Sequence, residues 1–116
     1  GQGTETTSAG DLYEGEWHRG EKQGQGRLAL GRGGGYQGTF REGLPHGQGV
    51  ETLPDGSRYE GGWEEGARHG RGRSTEADGQ HLDCGWQYGV LHGRCTVRYP
   101  DGHIEQELWE DGQELE

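Results

Sequence analysis

Three histidines, His46, His69 and His92, recur at one spacing, and each stands directly before a glycine. Imidazole nitrogen is the commonest metal ligand, so a ladder of three invites a metal hypothesis. The spacing opposes it. If each histidine sits on its own β-hairpin, neighbours stand two strands apart, about 9.6 Å, whereas the ligands of one zinc each lie ~2.0–2.1 Å from the metal. Neither a metal nor any other cofactor is expected. Glu64-Glu65 and Glu110-Asp111 supply adjacent carboxylates of the type that hydrolyses glycosides. They fall on turns or in the irregular last unit, without a pocket-forming element, so a solvated surface is the better reading. Gly31-Arg32-Gly33-Gly34-Gly35 is glycine-rich like a phosphate loop, but it precedes a strand rather than a helix. No Ser/His/Asp grouping rises above chance. No catalytic residue is predicted, and the chain reads as a binding surface rather than an enzyme.

The elements that hold these residues follow from a repeat. The first half of each unit is Tyr13-Glu14-Gly15-Glu16-Trp17, then Tyr36-Gln37-Gly38-Thr39-Phe40 and Tyr59-Glu60-Gly61-Gly62-Trp63, at a constant offset of 23 residues. Leu82-Asp83-Cys84-Gly85-Trp86 and Glu105-Gln106-Glu107-Leu108-Trp109 continue the series in eroded form. A glycine follows three residues after each terminal aromatic: Gly20, Gly43, Gly66, Gly89 and Gly112. The second half opens on Gly-x-Gly, at Gly1/Gly3, Gly24/Gly26, Gly47/Gly49 and Gly70/Gly72, then Gly93/Cys95. Asp55-Gly56, Asp78-Gly79 and Asp101-Gly102 close three units, and Asp-Gly is a strong hairpin signal because glycine accepts positive φ. The units are 13–35, 36–58, 59–81 and 82–104, preceded by a half repeat over 1–12 and followed by an eroded half repeat over 105–116 that is either a capping strand or helical.

Each half-unit alternates at period 2, the pattern of a strand. Tyr13, Gly15 and Trp17 share one face, and Glu14 and Glu16 share the other. Glycine inside a strand costs roughly 0.5–1 kcal/mol against alanine, yet it leaves bare backbone on which a neighbouring ring can lie. Rings covering glycines would give a single-layer sheet its core. Placing Trp17 opposite Gly24 puts Gly15 opposite Gly26, Glu14 opposite Arg27 and Glu60 opposite Arg73. Ten strands at ~4.8 Å spacing make a meander about 48 Å long, in which each hairpin touches only its neighbours. The expected fold is all-β: an elongated, twisted, antiparallel single-layer meander.

In that register Cys84 and Cys95 replace two glycines that face each other. Directly opposed cysteines can form a cross-strand disulfide if their Cα atoms come within ~4.4–6.8 Å. The simpler reading, and the favoured one, is two small reduced residues filling glycine positions in an intracellular protein.

Composition narrows the partners. The chain carries 21 acids against 11 bases, a net charge of −10, with 27 glycines and only 25% apolar residues. A phosphate backbone wants a basic stripe, and anionic lipid wants clustered Lys and Arg, so nucleic acid is not expected and membrane lipid is disfavoured. No apolar run approaches the ~20 residues of a membrane span. Gly1-Gln2-Gly3 already matches the middle of a repeat, so the sequence reads as a piece of a longer protein.

Tyr-Glu-Gly-Glu-Trp at 13–17, the glycine three residues on, then Gly-x-Gly and Asp-Gly, resemble MORN repeats (membrane occupation and recognition nexus). The resemblance runs from Gly1 to about Gly112. It implies an elongated twisted sheet with a groove on its aromatic face. It also implies non-enzymatic roles: scaffolding, membrane–cytoskeleton junctions, ciliary parts or regulatory arms of enzymes. The expected location is cytoplasmic, with cytoskeletal or ciliary association implied by the resemblance. The departures are Leu82 and Glu105 for Tyr, Cys84, Cys95 and Glu107 for Gly, and Glu5, Glu51, Ser74 and Glu76 at apolar positions of the groove face.

The aromatic row is first structural. A thin sheet is not expected to cover both sides of its rings, and exposed aromatic area on a concave face marks an interaction site. The expected partner-binding groove is Tyr13, Trp17, Tyr36, Phe40, Tyr59, Trp63 and Trp86, with Tyr99. The expected function is a protein-interaction scaffold whose partner, a peptide or helix with basic flanks, lies along that groove. The alternatives are a regulatory arm of a larger enzyme and a phospholipid-binding module. Open strand edges also allow edge-to-edge dimers.

Overall fold

The structure, a computed structural model, describes residues 1–115. It is one antiparallel sheet of eleven strands whose spatial order is their chain order. The strands are β1 (Gln2–Thr6), β2 (Leu12–His18), β3 (Glu21–Ala29), β4 (Gly35–Arg41), β5 (Leu44–Thr52) and β6 (Arg58–Glu64). They continue as β7 (Ala67–Thr75), β8 (His81–Gln87), β9 (Val90–Arg98), β10 (Ile104–Glu110) and β11 (Gln113–Leu115). The long axis is 47 Å, against 24 and 19 Å across it. The last unit is a strand pair, not a helix: Glu110 stands opposite Gln113 and Leu108 opposite Leu115.

Two kinds of turn alternate along the sheet. At Arg19-Gly20, Glu42-Gly43, Glu65-Gly66, Tyr88-Gly89 and Asp111-Gly112, both residues have positive φ, 49–52° at the first and 80–89° at the second. That is the two-residue type I′ hairpin, whose twist matches its strands. At the opposite end the turns are wider. Leu53 N–H donates to the Ser57 carbonyl at 2.8 Å, and Gly56 N–H donates to the Leu53 carbonyl at 2.9 Å. The Asp of each Asp-Gly then accepts from the backbone two residues on: Ser57 to Asp55, Gln80 to Asp78 and His103 to Asp101. At Asp55 the Ser57 hydroxyl donates as well, at 2.6 Å, and that bond, with the backbone one beside it, holds the Asp55 carboxyl below its ordinary range.

The register differs from expectation at one point, and identically in each complete unit. Gly15 does face Gly26, Glu14 faces Arg27 and Glu60 faces Arg73. Trp17, however, stands opposite Lys22 rather than Gly24. Between Gly15 and Trp17 the pairing shifts, and the extra residues bulge out of β3 around Gly24, whose φ is +82°. Gly47, Gly70 and Gly93 repeat the bulge at φ +84°, +85° and +91°. The first glycine of Gly-x-Gly is therefore a bulge residue needing the left-handed region. Its ladder partner is the aromatic of the next hairpin: Phe40 for Gly24, Trp63 for Gly47 and Trp86 for Gly70.

The second glycine answers to packing. A methyl group on Gly26, Gly49 or Gly72 would run into the ring of Tyr13, Tyr36 or Tyr59. Each tyrosine lies across that bare backbone and donates its hydroxyl to a carbonyl three residues ahead: Glu16, Thr39 and Gly62, at 2.8–3.0 Å. Ring and hydroxyl together fix the bulge.

Candidate functional site: the ring face

Seven rings run along one face in an unbroken edge-to-face order. Trp17 meets Tyr13, Tyr13 meets Phe40, Phe40 meets Tyr36, Tyr36 meets Trp63, Trp63 meets Tyr59, and Tyr59 meets Trp86. Centroid separations are 5.1–5.7 Å and interplanar angles 81–89°. Each such contact contributes about 0.5–1.5 kcal/mol beyond the area it buries. The chain crosses from hairpin to hairpin at every second contact, so the row is also what joins the repeats.

The exposure expected of this row is largely absent. Tyr13, Tyr36, Phe40, Tyr59 and Trp63 are only 0–7% exposed. Alternate rings stand perpendicular and close each other's flanks, which a row of parallel rings would not do. Trp17 and Trp86, at the ends, remain half-buried, as does Leu28 between them. Tyr99 lies off the row: it packs with Cys84, Cys95 and Val97, tilts against His103, and donates its hydroxyl to Glu105 at 3.1 Å. That carboxylate raises the Tyr99 hydroxyl above its ordinary range, while His103 and Tyr99 lower Glu105.

Two cations close the row further. Arg68 sits over Tyr59 and Trp86, 4.4 and 4.8 Å from their centroids, and is held by Glu51 at 2.9 Å. Lys22 sits over Tyr13 and Trp17 at 5.2 and 5.5 Å, held by Glu5 at 3.5 Å. Glu5 and Glu51 are therefore not loose acids in the groove; each is the counter-ion of a cation stacked on rings, an arrangement worth about 0.5–1 kcal/mol per cation at partly exposed sites. The unit between them has Leu28 and Pro45 at the matching positions. The sequence carried this signal as a charge pair 17 residues apart in alternate units.

The fourth unit lacks the tyrosine. Leu82 takes its place, and the glycine pair under the ring becomes Cys84 opposite Cys95. The structure joins these cysteines in a disulfide, with Cα atoms 4.1 Å apart and both residues 1% exposed. The register placed them face to face, but the reduced pair favoured on sequence grounds is not what the structure shows. Sulfur fills the volume a tyrosine ring occupies elsewhere, and Val97, Leu82 and Leu91 close over it.

The histidine ladder has a structural use. His69 Nδ1 accepts the backbone N–H of Tyr88 at 3.3 Å, and His92 Nδ1 accepts that of Asp111 at 3.5 Å. Gln23 does the same for Glu42 at 3.1 Å. Each ties down the first residue of the next type I′ turn. The turn glycines are tied likewise: Gly43, Gly66, Gly89 and Gly112 donate to the carbonyls of Lys22, Pro45, Arg68 and Leu91. His46 instead lies 3.5 Å from the Arg41 guanidinium, and the three histidines stand on β5, β7 and β9, one per hairpin. Glu64 pairs with His69 at 3.2 Å, while Glu65 occupies a turn and is exposed.

A sheet of hairpins in single file, knitted by a tyrosine–glycine row, defines a solenoid-like repeat protein. The MORN repeat family matches residues 13–34, 36–58, 59–81 and 85–104. The chain belongs to that family, whose members are generally non-catalytic and occur in protein- or membrane-binding settings. No curated protein matches it. Among the described residues, no helix is long and apolar enough to cross a membrane.

Proposed function

We propose that this chain is a non-catalytic scaffold that takes a protein segment along its ring face. The carrying observation is that a 47 Å single-layer sheet leaves this face without a second layer, while its rings are locked in place by their own edge-to-face order. A surface already rigid loses little entropy on binding. The tyrosines are out of reach, so the contacts fall to the half-buried Trp17, Leu28, Trp86 and Leu91 along the row, with Tyr99 at its margin. Lys22 and Arg68 neutralise Glu5 and Glu51; of the other acids of this face, Glu76 is bonded to Ser74, and Glu107 and Glu114 gather near β10. The partner's basic flank belongs at that end. A cytoskeletal or ciliary setting, attachment to a larger enzyme, and pairing through open strand edges are compatible with this reading and rest on the family resemblance and topology alone.

The test is a peptide-display selection against the folded chain, followed by calorimetry of the recovered peptides on the wild type, Trp17→Ala and Trp86→Ala. Affinity is expected to fall about tenfold or more in at least one variant, the range of an aromatic anchor. Unchanged affinity in both, with thermal unfolding intact, would remove the ring face as the binding site.

A further inference from the structure

We propose that the opposite face of the sheet carries a second docking site, for an acidic peptide segment, built on the arginines of β7 and β9. The chain's net charge of −10 hides a partition by face. Positions pointing away from the rings across β6–β9 hold Arg58, Arg71, Arg73, Arg94 and Arg98 against three carboxylates, Glu60, Glu64 and Asp83, of which Glu64 is paired with His69 at 3.2 Å. Glu60 pairs with Arg58 at 3.3 Å, and Asp83 with Arg71 at 3.1 Å. Among the described residues, Arg73, Arg94 and Arg98 have no carboxylate within ion-pair distance.

The patch has shape as well as charge. Arg71 reaches across Gly85 and donates to the Arg94 carbonyl at 2.8 Å, so one guanidinium is fixed in the plane of the sheet. Beside it lies a shallow depression of about 460 Å³ lined by Arg73, His81, Asp83, Thr96 and Arg98. On its far side two apolar residues stand open to solvent in register with the free arginines: Ile104, 49% exposed, opposite Arg98, and Leu108, 50% exposed, opposite Arg94. Cation beside apolar, twice, selects carboxylates interleaved with apolar side chains. Arginine forks grip carboxylates in two-point contacts, and Arg94 and Arg98, four residues apart on β9, suit acids at matching spacing on an extended segment. Glu60 and Asp83 within the patch, and the acidity of the whole chain, work against a nucleic-acid or anionic-membrane occupant. The two faces then prefer partners of opposite charge, which lets one thin sheet bridge two proteins.

The experiment uses the full chain and a fluorescein-labelled synthetic peptide with Glu at alternate positions and Leu and Ser between, read by anisotropy at low and physiological salt. Saturable binding is expected, weakened by salt and reduced about tenfold or more by Arg94→Glu/Arg98→Glu. Arg27→Glu, on the same face at β3, and Trp86→Ala, on the ring face, are expected to leave it unchanged. Thermal unfolding checks each variant; if the double reversal does not fold, Arg94→Gln/Arg98→Gln carries the same expectation. Four outcomes would overturn the proposal: no saturable binding, an equal loss in Arg27→Glu, tighter binding of polyuridine or phosphatidylserine vesicles that the same double variant abolishes, or self-association of the chain that this variant abolishes. Failure of the ring-face variants in the display experiment leaves this result untouched, because the two sites share no residue.

Discussion

At the scale of single residues, the two glycines of each Gly-x-Gly answer to different constraints, one conformational and one steric. Gly70 is a bulge residue at φ +85°, while Gly72 exists to receive the Tyr59 ring. Gly72→Ala therefore places a methyl where a fully buried ring already lies, and overpacking of this kind costs roughly 1–3 kcal/mol. Chemical denaturation is expected to show that loss; a midpoint equal to wild type would mean the ring does not lie on that backbone. The tyrosine hydroxyls carry a second prediction. Burial pushes Tyr36 up to about 12, and it raises Tyr13 and Tyr59 as well, against the pull of Arg68 in the latter case. In the unfolded chain these groups release their protons near pH ~10. Their protonated form favours the folded state fully below that pH, and the contribution is lost as pH rises toward the folded values. Tyrosinate absorbance from these three rings is expected to grow together with loss of the β-sheet circular dichroism signal in alkali. Their ionisation near pH ~10 with the sheet intact would contradict their burial.

At the scale of the hairpin, one unit has solved the same packing problem differently. Three units place a tyrosine over a glycine pair; the fourth places leucine over a cystine. A cross-link between cysteines 11 residues apart removes roughly 3 kcal/mol of unfolded-chain freedom in the loop-entropy account. Reductant is expected to lower the denaturation midpoint of the wild type. The triple change Leu82→Tyr, Cys84→Gly and Cys95→Gly is expected to restore much of that stability and to abolish the redox dependence, whereas Leu82→Tyr alone destabilises because the sulfurs hold the ring's volume. A midpoint insensitive to reductant would show that the thiols are not joined. Much of this was legible in the sequence: the facing of Cys84 and Cys95 follows from the repeat, and so does the loss of Tyr at 82. The bulge was not, because period-2 alternation is blind to inserted residues until ladder partners are known. The first glycine of Gly-x-Gly, kept as Gly93 where the second becomes Cys95, carries the signal, and it is conformational rather than a packing residue.

At the scale of the molecule, the fold class, the single-file order and the length were all readable, since a constant 23-residue offset leaves a meander few alternatives. The radius of gyration, 15.6 Å, exceeds the ~13 Å of a compact domain of this size, as single-file stacking requires. What stayed hidden were properties of assembled faces. Composition gave one net charge, while the sheet sorts it into a ring face with paired cations and an opposite face with unpaired arginines. Ring exposure is hidden for the same reason: perpendicular stacking between neighbours decides it, and no single repeat contains that information. The central claim is that the rings of each hairpin lean on those of the next. Aromatic-proton Overhauser contacts measured by NMR test it directly. Contacts between Tyr13 and Phe40, Tyr36 and Trp63, and Tyr59 and Trp86 are predicted, each spanning two hairpins. Resolved spectra with ring contacts confined within single hairpins would contradict it.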